Sequence, residues 1–420
     1  MNQSKMQSPS SPPAILLGGN AIALAAARSL GQRGIRVIAL DYPTSSVRHS
    51  RYAEWIDLDY SNDFRGAAME WLLGEGRTRF AGAMILPCWD DGLELVARHR
   101  QELEKDFTVI EANDDILLAV LNKRTTRVLA ENAGVPSPKI WAVRSMKDLT
   151  PLLGEIRYPC ALKPQHSHIF HKYFPYQKLV VVNDEGELLT KFRTFLQYDL
   201  KMLVTELIPA TEEGYLSYYS YLDQHGEPLF HFTKRKLRQH PNAYGLGTYH
   251  VTEWHRDVAE MGLRFFQRIG LRGVGNVEFM RDPRDGELKL IECNARFTLT
   301  TEQLRISGVD LPLFVYNKMA GLPLPSMSPF REHVYLIRPG SDLKAFFEMR
   351  RSGRTTLPRY LKSIMHVQHN LYFKWRDPMP AISLVTSSVK KRLQAMKRRP
   401  TPCVPEPPLA VPAVEEGTSR

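Results

Sequence analysis

The stretch that most constrains the fold is residues 274–297, which read VGNVEFMRDPRDGELKLIECNARF. Two apolar runs flank the turn-forming letters DPRDG, and this pattern predicts an antiparallel hairpin. Because side chains alternate along a strand, Glu278, Glu292 and Asn294 are expected on one face. A turn centred near Asp285 places Glu278 directly opposite Glu292, since each lies seven residues from it. The sequence therefore predicts two carboxylates that face each other.

This opposed pair limits what can lie on that face of the hairpin. Like charges directly across a sheet repel, so the pair is most easily tolerated when a cation lies between them. Two carboxylates and an amide oxygen are hard ligands, which suit Mg²⁺ carrying the phosphates of a nucleotide. The alternative is a solvated hairpin whose outer face simply carries acidic residues. The other, apolar face is expected to contain Val277, Phe279, Ile291 and Cys293.

Length and composition describe a soluble globular protein. At 420 residues the chain is long enough for two or three domains with sizeable cores. Its 43% hydrophobic and 24% charged residues are ordinary proportions. The net charge is +11, with much of the basic excess in the last hundred residues. No zinc-finger or aromatic RNA-binding signature accompanies this charge, so no nucleic-acid partner is expected. ATP and acidic substrates also require positive pockets.

Cysteine usage and the lack of long apolar runs bear on location. Cys88, Cys160, Cys293 and Cys403 are widely scattered and form no CxxC pair, which is typical of reduced thiols in a cytosolic protein. No apolar run approaches the ~20 residues that a membrane-spanning helix requires. The apolar stretch 14–27 resembles a signal-peptide core, but GGN interrupts it and a second strand pattern follows. The expected location is cytoplasmic.

The N-terminal part of the chain has the pattern of a Rossmann-like unit. Residues 14–41 read AILLGGNAIALAAARSLGQRGIRVIALD, which predicts a strand over 15–17, a helix over 21–33 and a strand over 37–40. A glycine turn at the start of that helix can hold an anion. The full G-x-G-x-x-G fingerprint is absent, so a turn that serves backbone geometry alone is the alternative.

Charged side chains at the ends of predicted elements are further candidates for a site. A strand over 83–86 is followed by Asp90 and Asp91, at the edge where open α/β sheets bind ligands. Lys163 ends the apolar strand in YPCALKP, where a lysine is costly unless it meets an anion. Lys123 lies at the start of the helix predicted from NKRTTRVLAENAG.

Five segments together carry a family resemblance: NKRTTRVLAENAGVPSPK, YPCALKP, LVTELIPA, FTKRKLRQHP and VGNVEFMRDPRDGELKLIECNAR. In order and spacing, residues 14–325 resemble the ATP-grasp superfamily of ligases, in its carboxylate–amine ligase or carbamoyl-phosphate-synthase-like branch. The resemblance implies an α/β architecture, with a Rossmann-like pre-ATP-grasp domain, a two-subdomain ATP-grasp fold and a C-terminal extension. It also implies ATP and Mg²⁺ as cofactors, with Mn²⁺ as a possible substitute.

The resemblance also implies roles for individual residues. The implied ATP-binding residues are Lys123, Lys163, Glu206, Leu207, Ile208 and Glu213. The two lysines match phosphate contacts, the next three match the hinge that hydrogen-bonds adenine, and the last matches the ribose ligand. The implied metal ligands are Glu278, Glu292 and Asn294. Arg296 matches an arginine near the transferred phosphate or acyl phosphate, and it is implied to be catalytic together with Lys163.

One segment departs from the family pattern. Residues 165–178 read QHSHIFHKYFPYQK, whereas family members often have a glycine-rich loop over the phosphates at this place. His166, His168 and His171 lie in this predicted lid. These histidines can contact phosphate, lie on the surface without a role, or bind a metal. The sequence does not identify the residues that cover the phosphates.

The predicted domains follow the resemblance and the composition. They are a disordered tail over 1–13, a Rossmann-like pre-ATP-grasp domain over 14–120, an ATP-grasp domain over 121–325 with subdomains of about 121–205 and 206–325, a C-terminal extension over 326–399 and a disordered tail over 400–420. A basic helix is predicted over 383–399. A solvated basic face is favoured there over contact with an anionic membrane surface.

The function implied is an ATP-dependent ligase with small-molecule carboxylate and amine partners. Such an enzyme activates the carboxylate as an acyl phosphate, which an amine then attacks to form a C–N bond. The alternatives with the same fold are a kinase-like phosphoryl transfer and a regulatory nucleotide-binding module. Only the glycine turn suggests a nicotinamide-dependent oxidoreductase. The oligomeric state is left open.

Overall fold

A computed structural model describes residues 11–58, 63–165, 170, 179–209, 211, 214–242, 244–366 and 368–397, without the side chains of residues 391–397. The protein is mixed α/β, as predicted, and its described strands form three sheets. Several predictions fall outside the described residues. These are Glu213, the three lid histidines, the tail over 400–420 and most of the tail over 1–13.

The first sheet is parallel and five-stranded, in the order β3-β2-β1-β4-β5. Its strands are β1 Ala14–Leu17, β2 Val37–Leu40, β3 Glu54–Trp55, β4 Met84–Pro87 and β5 Thr108–Val109. The helices around it are α1 Ala21–Gly31, α2 Phe64–Trp71, α3 Arg77–Phe80 and α4 Asp90–Leu103, with a 3₁₀ turn at Ser46–His49 and a π-helical turn at Leu72–Gly76. The central strands β1, β2 and β4 are buried throughout, as expected for a parallel sheet covered on both faces. The predicted βαβ unit is present.

The glycine turn between β1 and α1 is explained by packing. Gly19 has φ +101°, and a Cβ there would lie 2.6 Å from the Cβ of Cys88, so only glycine allows this approach to the end of β4. The backbone N–H of Asn20 donates to the Asp41 carboxylate at 2.6 Å. Asp41 is buried, and this burial raises its pKa. A protein carboxylate thus lies where the turn was expected to hold an anion, which favours the backbone-geometry explanation of the turn.

The second sheet is antiparallel and four-stranded, in the order β6-β9-β7-β8. Its strands are β6 Ile140–Ala142, β7 Cys160–Pro164, β8 Val180–Val182 and β9 Met202–Glu206. The helices of this part are α5 Asp114–Leu121, α6 Lys123–Asn132, α7 Met146–Leu149 and α8 Glu185–Gln197, with a 3₁₀ turn at Thr150–Glu155. One face of the sheet packs on α8 through Leu162, Val204 and Phe192, and this leaves the alternate side chains of β7 and β9 for the opposite face.

The third sheet has seven strands in the order β14-β13-β10-β11-β12-β15-β16. Its strands are β10 Tyr215–Leu222, β11 Phe232–His240, β12 Leu246–Thr252, β13 Gly273–Arg281, β14 Leu288–Asn294, β15 Tyr335–Ile337 and β16 Gln368–Asn370. The helices that follow these strands are α9 Arg256–Ile269, α10 Thr301–Ser307, α11 Leu311–Met319, α12 Pro339–Arg351, α13 Leu357–Ser363 and α14 Met379–Lys397. The segment predicted as an extension therefore supplies two strands to the large sheet.

The two faces of the large sheet have different neighbours. On one face Tyr218 and Val277 pack with Phe266 of α9 in an apolar core. On the other face Tyr219 and Tyr221 belong to the core that also contains α1, β1 and α11. This second face is directed toward the first sheet, and it also carries the polar side chains of β13.

A buried ion pair connects the segment that precedes α14 to the first helix. The Arg28 guanidinium donates from Nε to Asp377 Oδ2 at 2.9 Å, and both side chains are almost fully buried. Arg28 also donates to the carbonyl oxygens of Leu371 and Tyr372. Asp377 accepts a further hydrogen bond from the Ser50 hydroxyl at 2.8 Å. The chain that precedes α14 is thereby held against α1.

Two observations bear on the expected location. Cys88, Cys160 and Cys293 are free and buried, as expected for unpaired thiols. Among the described residues, we find no helix with the length and apolar content needed to cross a membrane.

Candidate active site

The predicted hairpin is formed by β13 and β14, and it brings the two carboxylates together. Glu278 is the register partner of Glu292, and Asn276 is the partner of Asn294. The predicted opposition of the two glutamates is therefore confirmed. The turn is centred between Arg284 and Asp285 and not at Asp285, since Arg281 pairs with Leu288. Directly opposed residues of an antiparallel pair have Cβ atoms about 4.5–5.5 Å apart, so the two carboxylates can share one cation.

The apolar face of the hairpin departs from simple alternation at one residue. Val277, Phe279 and Cys293 are buried in the core, as predicted. Phe279 pairs with Leu290 whereas Glu278 pairs with Glu292, so Ile291 is the extra residue of a β-bulge. The prediction that Ile291 lies on the buried face is wrong, because the bulge turns its side chain toward a cleft.

This cleft has a volume of about 440 Å³ and lies where the three sheets approach one another. Four of the residues predicted to bind ATP or Mg²⁺ line it, namely Lys123, Lys163, Glu292 and Asn294, whereas Glu278 is not one of its lining residues. Lys163 faces the cleft because its neighbour Leu162 packs into the core on the opposite face of β7. Lys123 is the first residue of α6, whose N-cap Asn122 accepts a hydrogen bond from the Arg124 N–H at 3.0 Å. Two cations and a carboxylate–amide pair therefore line one cleft.

The first sheet contributes the other wall of the cleft. Trp89, Asp90 and Asp91 line it from the start of α4, so the two aspartates picked out from the sequence do lie at the site. The buried Arg296 guanidinium donates from Nε to Asp90 Oδ1 at 2.5 Å and lies over the Trp89 ring at 4.8 Å. Arg296 thus connects the hairpin to the helix that follows β4 of the first sheet, at the edge of the cleft.

The predicted hinge residues lie at the end of β9, outside the lining of this cleft. The Glu206 carboxylate accepts from Arg284 at 2.6 Å and from the Lys139 backbone N–H at 3.2 Å. Ile208 is buried, and its carbonyl accepts a hydrogen bond from the Tyr244 hydroxyl at 2.9 Å. The adenine-binding role of Glu206, Leu207 and Ile208 stays a prediction.

Comparison with known proteins fits this geometry. No protein-family model matches the chain. A D-aspartate ligase of Enterococcus faecium is 23% identical over 316 residues, which cover 72% of this chain and 75% of that relative. The biotin carboxylase domain of Hydrogenobacter thermophilus 2-oxoglutarate carboxylase, solved with MgADP and bicarbonate, superposes with a TM-score of 0.60 at 19% identity, over 78% of this chain and 74% of that one. An L-amino acid ligase from Bacillus licheniformis superposes with a TM-score of 0.57 at 17% identity, over 78% of this chain and 79% of that one.

The chain has the ATP-grasp fold. The resemblance read from the sequence is therefore confirmed at the level of the fold.

In this ATP-grasp chain, Lys234 is a candidate that sequence reasoning missed. Lys234 on β11 and Glu278 on β13 are both register partners of Ser217, so their side chains share the face that carries the two glutamates. Lys234 is only 3% exposed. Among the described residues, no carboxylate oxygen lies within salt-bridge distance of its ammonium. A buried ammonium without a paired carboxylate is costly, which points to an anionic ligand.

A histidine accompanies this lysine. The Nζ atom of Lys234 lies 3.5 Å from Nδ1 of His250 on β12. Burial and the neighbouring cations Lys234, Lys236 and Arg338 hold the pKa of His250 well below its usual value, so the imidazole is neutral and can accept from the ammonium. The segment FTKRKLRQHP did contain a signal for a basic strand face, since Lys234 and Lys236 are two positions apart in one strand. Their position beside Glu278 depends on strand pairing that the sequence does not reveal.

Burial affects the charge of Lys234 in a testable way. Burial lowers its pKa from 10.5 to about 8, and Glu278 opposes this shift. The unfolded chain therefore binds the proton more tightly than the folded chain between about pH 8 and 10.5, and this contribution makes folding more favourable as the pH rises through that window.

We expect Lys234→Met to be more stable than the parent without nucleotide at pH 7, by an amount on the order of 3 kcal/mol. The gain should shrink as the pH rises from about 8 to about 10.5. Urea unfolding across that range measures it. Lys234→Arg, which stays charged, should lose stability relative to the parent over the same window. A pH-independent gain in Lys234→Met would contradict the buried, titrating ammonium.

The donor set of the site fits a magnesium ion that carries phosphates. Across the described part of the chain, no group of three or more His, Cys, Asp and Glu side chains is arranged to hold a metal. An all-protein cage is therefore not the type of site found. Mg²⁺ usually keeps several waters and takes one or two carboxylates together with substrate phosphates. The site offers two carboxylates, from Glu278 and Glu292, and an amide oxygen from Asn294. Lys123 and Lys163 line the same cleft as Glu292 and Asn294.

Proposed function

We propose that this chain is an ATP-dependent ligase that joins a carboxylate to an amine. The observation that carries the proposal is the cleft lined by Lys123, Lys163, Glu292 and Asn294, with Glu278 opposite Glu292 in the hairpin register. The names of the relatives agree with it, since both a D-aspartate ligase and an L-amino acid ligase are similar to this chain. The domain boundaries read from the sequence, including 14–120 and 121–325, are part of the proposal.

The proposed reaction has two steps. A carboxylate oxygen of the first substrate attacks the γ-phosphorus of ATP, the bond to the bridging oxygen breaks, and ADP leaves with the electron pair. The amine nitrogen of the second substrate then attacks the acyl carbon. The C–O bond breaks, phosphate leaves, and the nitrogen loses a proton. The products are an amide, ADP and phosphate. Phosphoryl transfer depends on positioned charge more than on covalent help from the protein.

The residues of the cleft supply that charge. Lys123 and Lys163 neutralise phosphate oxygens of ATP, and Glu278, Glu292 and Asn294 hold Mg²⁺. When bound, the ion neutralises charge that develops on the transferring phosphoryl group. Glu206, Leu207 and Ile208 hold the adenine, and Glu213 holds the ribose.

Three further groups serve the acyl substrate and the acceptor. Lys234 compensates the charge of the carboxylate or of the acyl phosphate formed from it. Arg296, held by Asp90, holds the phosphate end of the same intermediate. Asp91, at the start of α4, offers a carboxylate to the incoming amine. The first domain thus takes part in acceptor binding, in place of the dinucleotide binding suggested by its glycine turn.

A protein nucleophile is not part of this scheme. Cys293 lines the cleft and Cys88 lies close to Arg296, but burial raises the pKa of both thiols. Thiols whose pKa is raised by burial are poor nucleophiles because little thiolate forms. Direct attack of the substrate carboxylate on ATP is the simpler route.

One experiment tests the reaction class. The purified chain is mixed with MgATP and pooled amino and hydroxy acids, and ADP release is measured together with product masses. The expected product has the mass of an acid plus an amine minus one water. A phosphorylated product would assign the chain to kinase-like transfer instead. If the chain binds nucleotide but releases no ADP with any pool, it would be assigned as a regulatory nucleotide-binding module.

Lys163→Ala tests the phosphate contact. The substitution removes one positive charge from the cleft wall, and we expect ATP-dependent turnover or ATP affinity to fall at least about tenfold, which corresponds to about 1.4 kcal/mol. Steady-state ADP release and nucleotide titration measure it. Lys147→Ala, at an exposed position on α7, is the control and should behave as the parent. Unchanged affinity and rate in Lys163→Ala would remove this lysine from the site.

A further inference from the structure

The last described helix, α14, exposes a stripe of large apolar side chains. Ile382, Val385 and Val389 are 45%, 63% and 49% exposed. At 3.6 residues per turn these three positions fall within roughly 60° of the helix circumference. Trp375, which shortly precedes the helix, is 88% exposed. A merely solvated basic helix has no need of such a stripe.

The same helix is strongly basic. Between Met379 and Lys397 the sequence contains Lys390, Lys391, Arg392 and Lys397, with no aspartate or glutamate. Ser387 lies roughly 140–160° around the helix from the three apolar positions and Ser388 roughly 60–120° from them, so both serines are outside the stripe. This combination is typical of helices that lie in the plane of a membrane surface.

The start of α14 is fixed to the body of the protein. Asp377, two residues before the helix, forms the buried pair with Arg28, and Pro380 in the first turn is buried. The exposed stripe begins immediately after this anchor. The helix is therefore presented in a defined orientation with respect to α1.

We propose that α14 binds an anionic lipid surface, with the apolar stripe inserted at the headgroup boundary and the positive charge of the helix attracted to the lipid phosphates. Charge decides between this surface and a second copy of the chain. Two copies of this helix would together carry eight positive residues with no acid on either one, so their net charges would repel. A nucleic acid would engage the basic side chains but would leave the apolar stripe without a role. Trp375 is of the residue type enriched at membrane interfaces.

Vesicle co-sedimentation of the full chain tests the proposal. Vesicles with three parts phosphatidylglycerol to seven parts phosphatidylcholine should bind the protein at least tenfold more tightly than pure phosphatidylcholine vesicles. Salt should weaken this binding. The intrinsic fluorescence should shift to the blue with anionic vesicles, and Trp375→Phe should reduce that shift. Failure of the parent protein to bind anionic vesicles would overturn the proposal.

Two pairs of variants separate the apolar stripe from the charge. Val385→Asp/Val389→Asp should lower binding at least tenfold more than Ser387→Asp/Ser388→Asp, which adds the same charge to the same helix but keeps the stripe. Lys390→Glu/Lys391→Glu should lower binding at least tenfold. Lys105→Glu/Lys147→Glu makes the same change of net charge at exposed positions elsewhere and should lower it less than threefold.

Other outcomes would assign the surface to a different partner. Equal losses in the valine and serine double variants would mean that charge alone drives binding, which overturns the insertion of the stripe. A concentration-dependent dimer that Val385→Asp/Val389→Asp dissolves, without vesicle binding, would assign the stripe to a second copy. Binding of a mixed-sequence oligonucleotide in the absence of vesicle binding would assign the basic side chains to nucleic acid. Circular dichroism of each variant confirms that the fold is retained.

Discussion

Glu292→Gln should keep the fold and lower MgATP-dependent turnover by roughly two to three orders of magnitude. The substitution keeps the size of the side chain but removes one negative charge from the pair, at the member that lines the cleft. If the pair holds Mg²⁺, this change weakens the ion that neutralises the transferring phosphoryl group. Turnover at saturating ATP over a range of Mg²⁺ concentrations measures the effect.

Stability and activity respond differently to this substitution. Glu278 and Glu292 are direct register partners, so their like charges repel when no cation is bound. Thermal unfolding without nucleotide should therefore show Glu292→Gln unchanged or slightly stabilised. A solvated acidic hairpin predicts the same stability but parental turnover. Activity is the measurement that separates the two interpretations.

The hairpin offers a matched control for this test. Glu287 is an exposed acid in the same hairpin, outside the lining of the cleft, and Glu287→Gln makes the same chemical change. Its turnover should equal that of the parent. Glu278→Gln should be impaired, but less severely than Glu292→Gln. If Glu292→Gln had the same turnover as the parent, the assignment of Glu278 and Glu292 as Mg²⁺ ligands would be wrong, and most of the proposed function would lose its support.

The features predicted from the sequence are those that local patterns determine. Alternation and turn residues predicted the hairpin and the face of the two glutamates. The exact opposition of Glu278 and Glu292 also depends on the bulge at Ile291, because the pairing next to the turn would otherwise place Glu278 opposite Ile291. The strand ending at Lys163 and the helix beginning at Lys123 were likewise predicted, from the apolar run in YPCALKP and the pattern of NKRTTRVLAENAG. The structure then brings these separate predictions to one cleft.

The features that the sequence did not reveal depend on pairing between distant segments. The bulge at Ile291 follows from a one-residue shift in register, which leaves no signal in an otherwise alternating strand. The contact of Lys234 with His250 requires the register of β11 and β12. Strands β15 and β16 have only three residues each, too few for a periodic pattern to predict them.

The pair Arg28–Asp377 is the extreme case of such a distant contact, since 349 positions separate the two residues. Asp377 accepts hydrogen bonds from Arg28 Nε at 2.9 Å, from the Ser50 hydroxyl at 2.8 Å and from the Arg51 backbone N–H at 3.0 Å. Removing the carboxylate leaves a buried guanidinium without a counter-charge and two other donors without this acceptor. The cost of breaking a buried pair in this way is about 3–5 kcal/mol.

We therefore expect Asp377→Ala to lower the free energy of unfolding by about that amount, as measured by urea denaturation. Arg28→Met/Asp377→Leu, which removes both charges, should recover a large part of the loss, because no unpaired charge is then buried. Glu260→Ala breaks the solvent-exposed pair with Arg256 and should leave stability nearly unchanged. A loss of less than about 1 kcal/mol in Asp377→Ala would mean that water reaches Arg28 when the carboxylate is removed. The segment before α14 would then be only loosely held, and the defined orientation proposed for that helix would lose its support.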